Sequence, residues 1–248
     1  MEIITKRIKT SDGVEGFLAY PAGQKSPAVL VHFEIFGVNS HMEDVCRRIA
    51  AEGYATLAPD YYWRLEQRTV PYSDLKAAFG LAANLKDDLI LSDAGSCLRH
   101  LRGQDFVESD AIGTLGFCMG GRLAALTAAT YPQNITAAVS FYGGGLAGEN
   151  MRGGQTLNPM DEAAKVRAPL LLFYGDKDQF ILPEHVETFT GRLKQLGKNF
   201  QSHVYPGAGH GFFCNDRASY DADAAKDAWK KTRDFWEAHL QGARAEAR

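Results

Sequence analysis

Apolar positions along this chain fall into short runs that alternate with longer segments of helical period. Residues 27–33, 54–58, 112–115, 137–141, 169–174 and 201–205 are short β-branched or aromatic runs of buried-strand type. Between them, 42–51, 74–101, 122–130, 183–196 and 222–240 carry apolar residues spaced along one helix face, and 74–101 is expected to break near Asp87-Asp88. At the start, 2–8 and 14–20 flank Ser11-Asp12-Gly13, and Asp-Gly between two strand-like runs predicts a hairpin. Segments 61–73 and 143–159 read as irregular loops. Strands alternating with helices predict an α/β fold: a mostly parallel sheet with helices on both faces and an N-terminal antiparallel hairpin. No linker is evident, so residues 1–248 are expected to form one domain, with 242–248 a frayed tail.

One strand-to-helix junction carries a motif. Gly116-Phe117-Cys118-Met119-Gly120-Gly121 follows the run 112–115 and precedes the helical stretch 122–130. This is the setting of the G-x-nucleophile-x-G elbow of the α/β-hydrolase fold, with cysteine where serine usually stands. The glycines let a sharp bend close where side chains would collide with the adjoining strand and helix. A cysteine at a helix start also faces free backbone N–H groups and the positive end of the dipole, which favours a thiolate and later an oxyanion. The plainer alternative is a small buried apolar residue, a common role for free cysteine.

Composition removes other classes. With 45% hydrophobic and 23% charged residues and a net charge of −3, there is no basic footprint, so no nucleic-acid partner is expected. No apolar run reaches the roughly 18 residues that cross a bilayer. Met1-Glu2-Ile3-Ile4-Thr5-Lys6 lacks the core of a signal peptide, so a cytoplasmic location without membrane association is expected. The four cysteines, Cys46, Cys97, Cys118 and Cys214, are scattered with no C-x-x-C pair, which predicts reduced thiols. The seven histidines show no ligand spacing, so neither metal nor cofactor is expected. A monomer or weak homo-oligomer is the expected state.

A thiol nucleophile needs a base for its proton and a carboxylate to orient that base. In the α/β-hydrolase order these follow the nucleophile as acid and then histidine, each after a later strand. Asp178 lies past the strand 169–174, in Tyr174-Gly175-Asp176-Lys177-Asp178, and His210 past the strand 201–205, in Gly207-Ala208-Gly209-His210-Gly211-Phe212. Singly, these would pass as a turn aspartate and a loop histidine. Asp176 competes for the acid role, and Asp178 is preferred because it lies further from the strand end. Glu34 is also unusual, a carboxylate flanked by Phe33, Ile35 and Phe36 in the loop where such hydrolases place an oxyanion N–H.

Glu34-Ile35-Phe36-Gly37-Val38-Asn39, the cysteine elbow and the Asp178 and His210 motifs together resemble the dienelactone hydrolase family, also called carboxymethylenebutenolidases, over nearly the whole chain. Ala58-Pro59-Asp60-Tyr61-Tyr62 and Phe141-Tyr142-Gly143-Gly144 fit the same pattern. The resemblance implies a carboxylic ester hydrolase acting on small lactones or esters. Cys118 would attack the carbonyl, the backbone N–H groups of Ile35 and Met119 would stabilise the oxyanion, and His210, oriented by Asp178, would carry protons. Glu34 would contact the cysteine and oppose its ionisation until substrate displaces the carboxylate. Phe36 and Tyr142 are expected to face substrate.

The resemblance has one gap. The family carries arginines that clamp a substrate carboxylate, one of them a few residues after the histidine, where this chain has Phe212-Phe213-Cys214-Asn215, so that clamp is expected to be missing. The other cationic position falls near Lys76, with Arg64 and Arg68 as alternatives, and all three also read as solvated surface charges. A general carboxylesterase acting on uncharged esters is therefore a competing reading. Two more are a non-catalytic ligand-binding protein on a hydrolase scaffold and a thiol redox sensor.

Overall fold

The computed structural model describes residues 1–149 and 154–241. The strands are β1 (Ile3–Lys9), β2 (Glu15–Pro21), β3 (Ser26–His32), β4 (Ala55–Pro59), β5 (Val107–Phe117), β6 (Ala137–Phe141), β7 (Leu170–Gly175) and β8 (Phe200–Tyr205). They form one sheet in the order β1-β2-β4-β3-β5-β6-β7-β8. β1 and β2 form the antiparallel hairpin, β2 meets β4 antiparallel, and every later pair is parallel. Position in the sheet follows side-chain character. Every residue of β3, SPAVLVH, is buried, as a strand covered on both faces requires, whereas the edge strands β1 and β8 mix exposed and half-buried positions.

The helices are α1 (Ser40–Ala51), α2 (Leu75–Ala82), α3 (Asp87–Arg102), α4 (Met119–Thr130), α5 (Pro159–Glu162), α6 (Pro183–Gln195) and α7 (Ala222–Trp236). α3 and α4 pack together on one face of the sheet. α1 and α7 meet on the other, where Trp229 and Arg233 reach Glu52 at the end of α1. No helix among the described residues is long and apolar enough to cross a membrane.

Order along the sheet decides where a site can form. From β3 the chain moves one way to β4 and then back across to β5, so β3 and β5 are neighbours at a topological switch point. Their ends are level, with His32 opposite Gly116, and Phe117 pairs with Phe141, Phe141 with Phe173 and Gly175 with Tyr205. The loops carrying Glu34, Cys118, Asp178 and His210 thus leave the sheet at one edge.

Four departures from the sequence reading have local causes. The break in 74–101 falls at 83–86, because Asp87 must open α3 where it meets Arg122 of α4 in a buried ion pair. β5 starts at Val107, its first residues polar and partly exposed, ahead of the apolar run. Asn158 caps a short α5 that begins at Pro159, a turn inside the expected loop. The last helix leaves α geometry after Trp236 and winds as a π turn through Gln241, which buries Leu240 beside Gly113, where a Cβ on Gly113 would lie 3.1 Å from Leu240 Cδ1. The tail expected at 242–248 lies outside the described residues.

The Arg122–Asp87 pair ties α3 to α4. Both side chains are about 1% exposed and bonded through two N–H groups at 2.8 Å, and Asp87 also accepts the backbone N–H of Thr156 and Leu157. Removing one member leaves a buried charge without its partner. Asp87→Ala is expected to cost about 3–5 kcal/mol in denaturant unfolding with little change in m-value, and a loss below about 1 kcal/mol would contradict this account.

Candidate active site

The elbow is built by close backbone approach. A Cβ on Gly116 would lie 1.9 Å from the Gly120 carbonyl oxygen, one on Gly120 2.2 Å from that of His32, and one on Gly121 2.7 Å from Gly143 Cα. The bend between β5 and α4 is therefore pressed against β3 and the loop after β6. Cys118 sits at its apex with φ 56°, one of two described non-glycine residues at positive φ, and its N–H donates to Phe141 O at 3.0 Å. Such geometry costs on the order of 1–3 kcal/mol and persists because the surroundings hold it. It leaves Cys118 partly exposed at the amino end of α4, with Met119 the first residue of that helix.

His210 reaches the same point from the loop after β8. Its Nδ1 lies 2.8 Å from Asp178 Oδ2, and Asp178 Oδ1 accepts the backbone N–H groups of Phe180 and Ile181 at 2.8 and 3.0 Å. Asp176, the competing carboxylate, instead accepts Gly207 N–H at 2.7 Å and ties the histidine loop to β7. Cys118 and the His210 ring line the same cavity. Burial pushes this imidazole down, but the neighbouring Cys118, the hydrogen bond to Asp178 and the Asp178 charge raise it to about 10.

Glu34 is 2% exposed, and its Oε1 accepts from Arg217 Nη1 at 3.2 Å. Its other oxygen is buried without a hydrogen-bond partner among the described residues. Sequence reasoning placed this carboxylate on the cysteine; in the structure its ion-pair partner is Arg217, because a guanidinium enclosed with it satisfies the charge directly. Arg217 itself was missed. The stretch read as lacking a cation ended at Asn215, yet Arg217 turns back over the Phe36 and Tyr72 rings, 5.7 and 5.9 Å from their centroids. A visible signal was Gly211 beside the histidine: it has φ 81°, and a Cβ there would lie 2.4 Å from Arg217 Nη1.

A cavity of about 160 Å³ opens beside these groups, lined by Cys118, Met119, His210 and Arg217 together with Ile35 and Phe36. Tyr62 O–H donates to Ile35 O at 3.0 Å, orienting the loop after β3. Four other expectations meet different geometry. Arg64 is not a wall of the cavity: Asp93, a buried carboxylate on α3, holds it through two N–H groups at 2.6 and 2.8 Å. Arg68 is bonded to Glu15 and lies 3.5 Å from Asp60. Lys76 is exposed on α2 and lies outside the cavity lining. Tyr142 is fully buried behind His210, its ring edge-on with centroids 5.1 Å apart, and does not face the cavity.

A switch-point cleft, a nucleophile elbow, and an acid and histidine after later strands define an α/β-hydrolase. The chain belongs to the dienelactone hydrolase family, whose model matches residues 14–240, and it is accordingly a carboxylic ester hydrolase of carboxymethylenebutenolidase type. A Synechocystis protein described as "Putative carboxymethylenebutenolidase" is 35% identical over 233 residues, 92% of this chain and 93% of that one. A Bradyrhizobium protein described as "Probable 2-oxo-3-(5-oxofuran-2-ylidene)propanoate lactonase" is 33% identical, covering 88% of this chain and 86% of its own. A crystal structure titled "Putative Dienelactone Hydrolase", from Klebsiella pneumoniae, superposes with a TM-score of 0.85 at 32% identity, covering 95% of this chain and 99% of that one.

Two predictions follow from the packing and charge of the site. Gly116→Ala is expected to cost more than roughly 3 kcal/mol or prevent folding, whereas Gly191→Ala, on α6 with open space around it, should stabilise by about 0.5–1 kcal/mol in the same unfolding assay. His210 has a higher pKa folded than its ordinary 6.5. The stability it lends is therefore full below about pH 6.5 and fades as pH rises through about 10. Imidazole NMR and unfolding across that window should show this in the native protein and a smaller effect in Cys118→Ala. Titration near 6.5 in both would contradict it.

Proposed function

We propose that the protein hydrolyses lactones and esters through a thioester on Cys118, with His210 as proton carrier and Asp178 as its orienting carboxylate. The observation that carries this reading is the His210 ring held by Asp178 at 2.8 Å in the wall of the cavity that Cys118 also lines. Cys118 gives its thiol proton to His210 as its sulfur adds to the carbonyl carbon, and the carbonyl oxygen takes the negative charge facing the backbone N–H groups of Ile35 and Met119. As the tetrahedral adduct collapses, the C–O bond to the alcohol breaks and His210 gives its proton to the departing oxygen. Water, deprotonated by His210, then cleaves the thioester, and the thiol regains its proton. Asp178 keeps Nδ1 protonated throughout, so the other ring nitrogen does the work.

Arg217 adds a substrate preference. A carboxylate on the substrate can take the guanidinium from Glu34, leaving Glu34 to face the site with one more free oxygen. Arginine suits this exchange because its planar fork binds carboxylates through paired N–H groups. The carboxylate-bearing lactone in the name of the Bradyrhizobium relative agrees with it. A second reading, hydrolysis of uncharged esters, has its own support: Arg217 is already neutralised by Glu34.

Turnover of an anionic unsaturated lactone and of a neutral aryl ester separates these readings. Cys118→Ala is expected to abolish both activities, and rapid quenching of the native enzyme should trap an acyl adduct on Cys118 by mass spectrometry. Retained turnover in Cys118→Ala would remove the mechanism. Arg217→Met should lower the ratio of kcat/KM for the lactone over the ester by roughly 10- to 100-fold, and an unchanged ratio would favour the uncharged-ester reading.

A further inference from the structure

The cavity continues past the reacting atoms. Leu75, Phe79, Ala82 and Ala83 of α2, with Leu85 and Ile90 around the start of α3, line its outer wall. α2 reads LKAAFGLA, and its core-facing residues are Ala78 and Leu81. Leu75 and Phe79, four apart and so neighbours on the helix surface, form a second apolar stripe. Leu75 is 43% exposed, and Phe79 is partly buried at the margin of the core, so both present apolar surface to the cavity. An apolar stripe facing a cleft next to a nucleophile is a binding wall. The same cavity also touches Arg122 and Asp87, whose charges cancel in their ion pair, so this side offers no cation to an anionic group.

We infer that this wall is an acyl-group site, and that the favoured substrates carry an apolar acyl portion. The inference rests on the proposed cysteine hydrolysis and adds the shape of what is hydrolysed. The side follows from the chemistry. His210 must protonate the leaving oxygen, so the alcohol lies toward His210 and its cavity neighbour Phe180. The oxyanion turns to the N–H groups of Ile35 and Met119. The remaining substituent on the carbonyl carbon is the acyl chain, and the wall free of catalytic groups is α2. Size follows from volume: about 160 Å³ is close to the roughly 150 Å³ apolar cavity that holds benzene, so the acyl portion spans about four to seven carbons.

The test is kcat/KM across two ester series, one lengthening the acyl chain from acetate to octanoate with p-nitrophenol as leaving group, the other lengthening the alcohol of an acetate. Along the acyl series kcat/KM should rise roughly threefold to fourfold per methylene up to about hexanoate and then level off, while the alcohol series stays shallow. Ala82→Trp, which fills the wall, should lower the hexanoate-to-acetate ratio by tenfold or more. Phe79→Ala, which lengthens it, should move the optimum to longer chains and serves if Ala82→Trp does not fold. A flat acyl series, a rise along the alcohol series instead, or equal loss of acetate and hexanoate turnover in Ala82→Trp overturns the acyl site while leaving the thioester mechanism standing. Loss of all ester turnover in the native enzyme removes both.

Discussion

The close contact between the β5–α4 bend and the end of β3 is the constraint from which the rest of the site follows. With Gly120 pressed on the His32 carbonyl and Gly116 on Gly120, the nucleophile and the Glu34 loop cannot move independently. Cys118 is held at φ 56° by the same contacts, so its position relative to Ile35 and Met119 is set by backbone packing rather than by a flexible side chain. A site assembled on rigid backbone loses little entropy when substrate binds. Beneath it, His32 is sealed between Tyr61 O–H and Thr114 Oγ1 at 2.6 and 2.7 Å, and burial pushes its imidazole down to about 3, so it stays neutral. A charge there would disturb the potential at the nucleophile above.

Two charge systems then meet at one cavity: Cys118 and His210, with Asp178 behind the ring, and Arg217, with Glu34 behind it. In water such pairs would be worth little, but at this burial each carboxylate and cation strongly biases its neighbours. Glu34 is felt by Tyr142, Tyr72 and Cys214, and, after the burial of each, its charge helps to push Tyr72 up and Cys214 up to about 11. Arg217 offsets that influence while it holds Glu34. Anything that draws Arg217 away therefore alters the potential around Cys118 without touching it.

What was legible in the sequence was what is local. The elbow shows in six residues because its glycines answer contacts made within and next to those residues. Asp178 and His210 show because each follows directly on a strand whose end is fixed by the sheet, and it is Asp178 that meets His210 while the nearer Asp176 accepts Gly207 N–H at the strand end. The cations were misread because their fates depend on distant partners. Arg64 is claimed by Asp93, on a helix that sequence spacing does not bring near. Arg217 returns to the site only through a turn that Gly211 permits, and nothing in the stretch 212–217 marks a bend back toward Glu34. Tyr142 was placed correctly in the chain and wrongly in depth: at φ 38° it bends behind the histidine, a conformation that residue type does not announce.

The same distinction explains why the apolar wall escaped notice. Apolar spacing in 74–101 reads as helix with a break near Asp87-Asp88, but periodicity reports that a residue is apolar and not which surface it meets. The segment breaks at 83–86, and Leu75 and Phe79 of α2 line the cavity. The break exists because Asp87 pairs with Arg122, and a buried ion pair of this kind contributes more to arrangement than to net stability. Its retention here has a structural reason: an apolar replacement of Asp87 would remove the cap on the chain at Thr156 and Leu157 as well as the start of α3. A buried ion pair in the wall of the cavity thus marks where α3 begins, on the same wall that carries the apolar residues of α2.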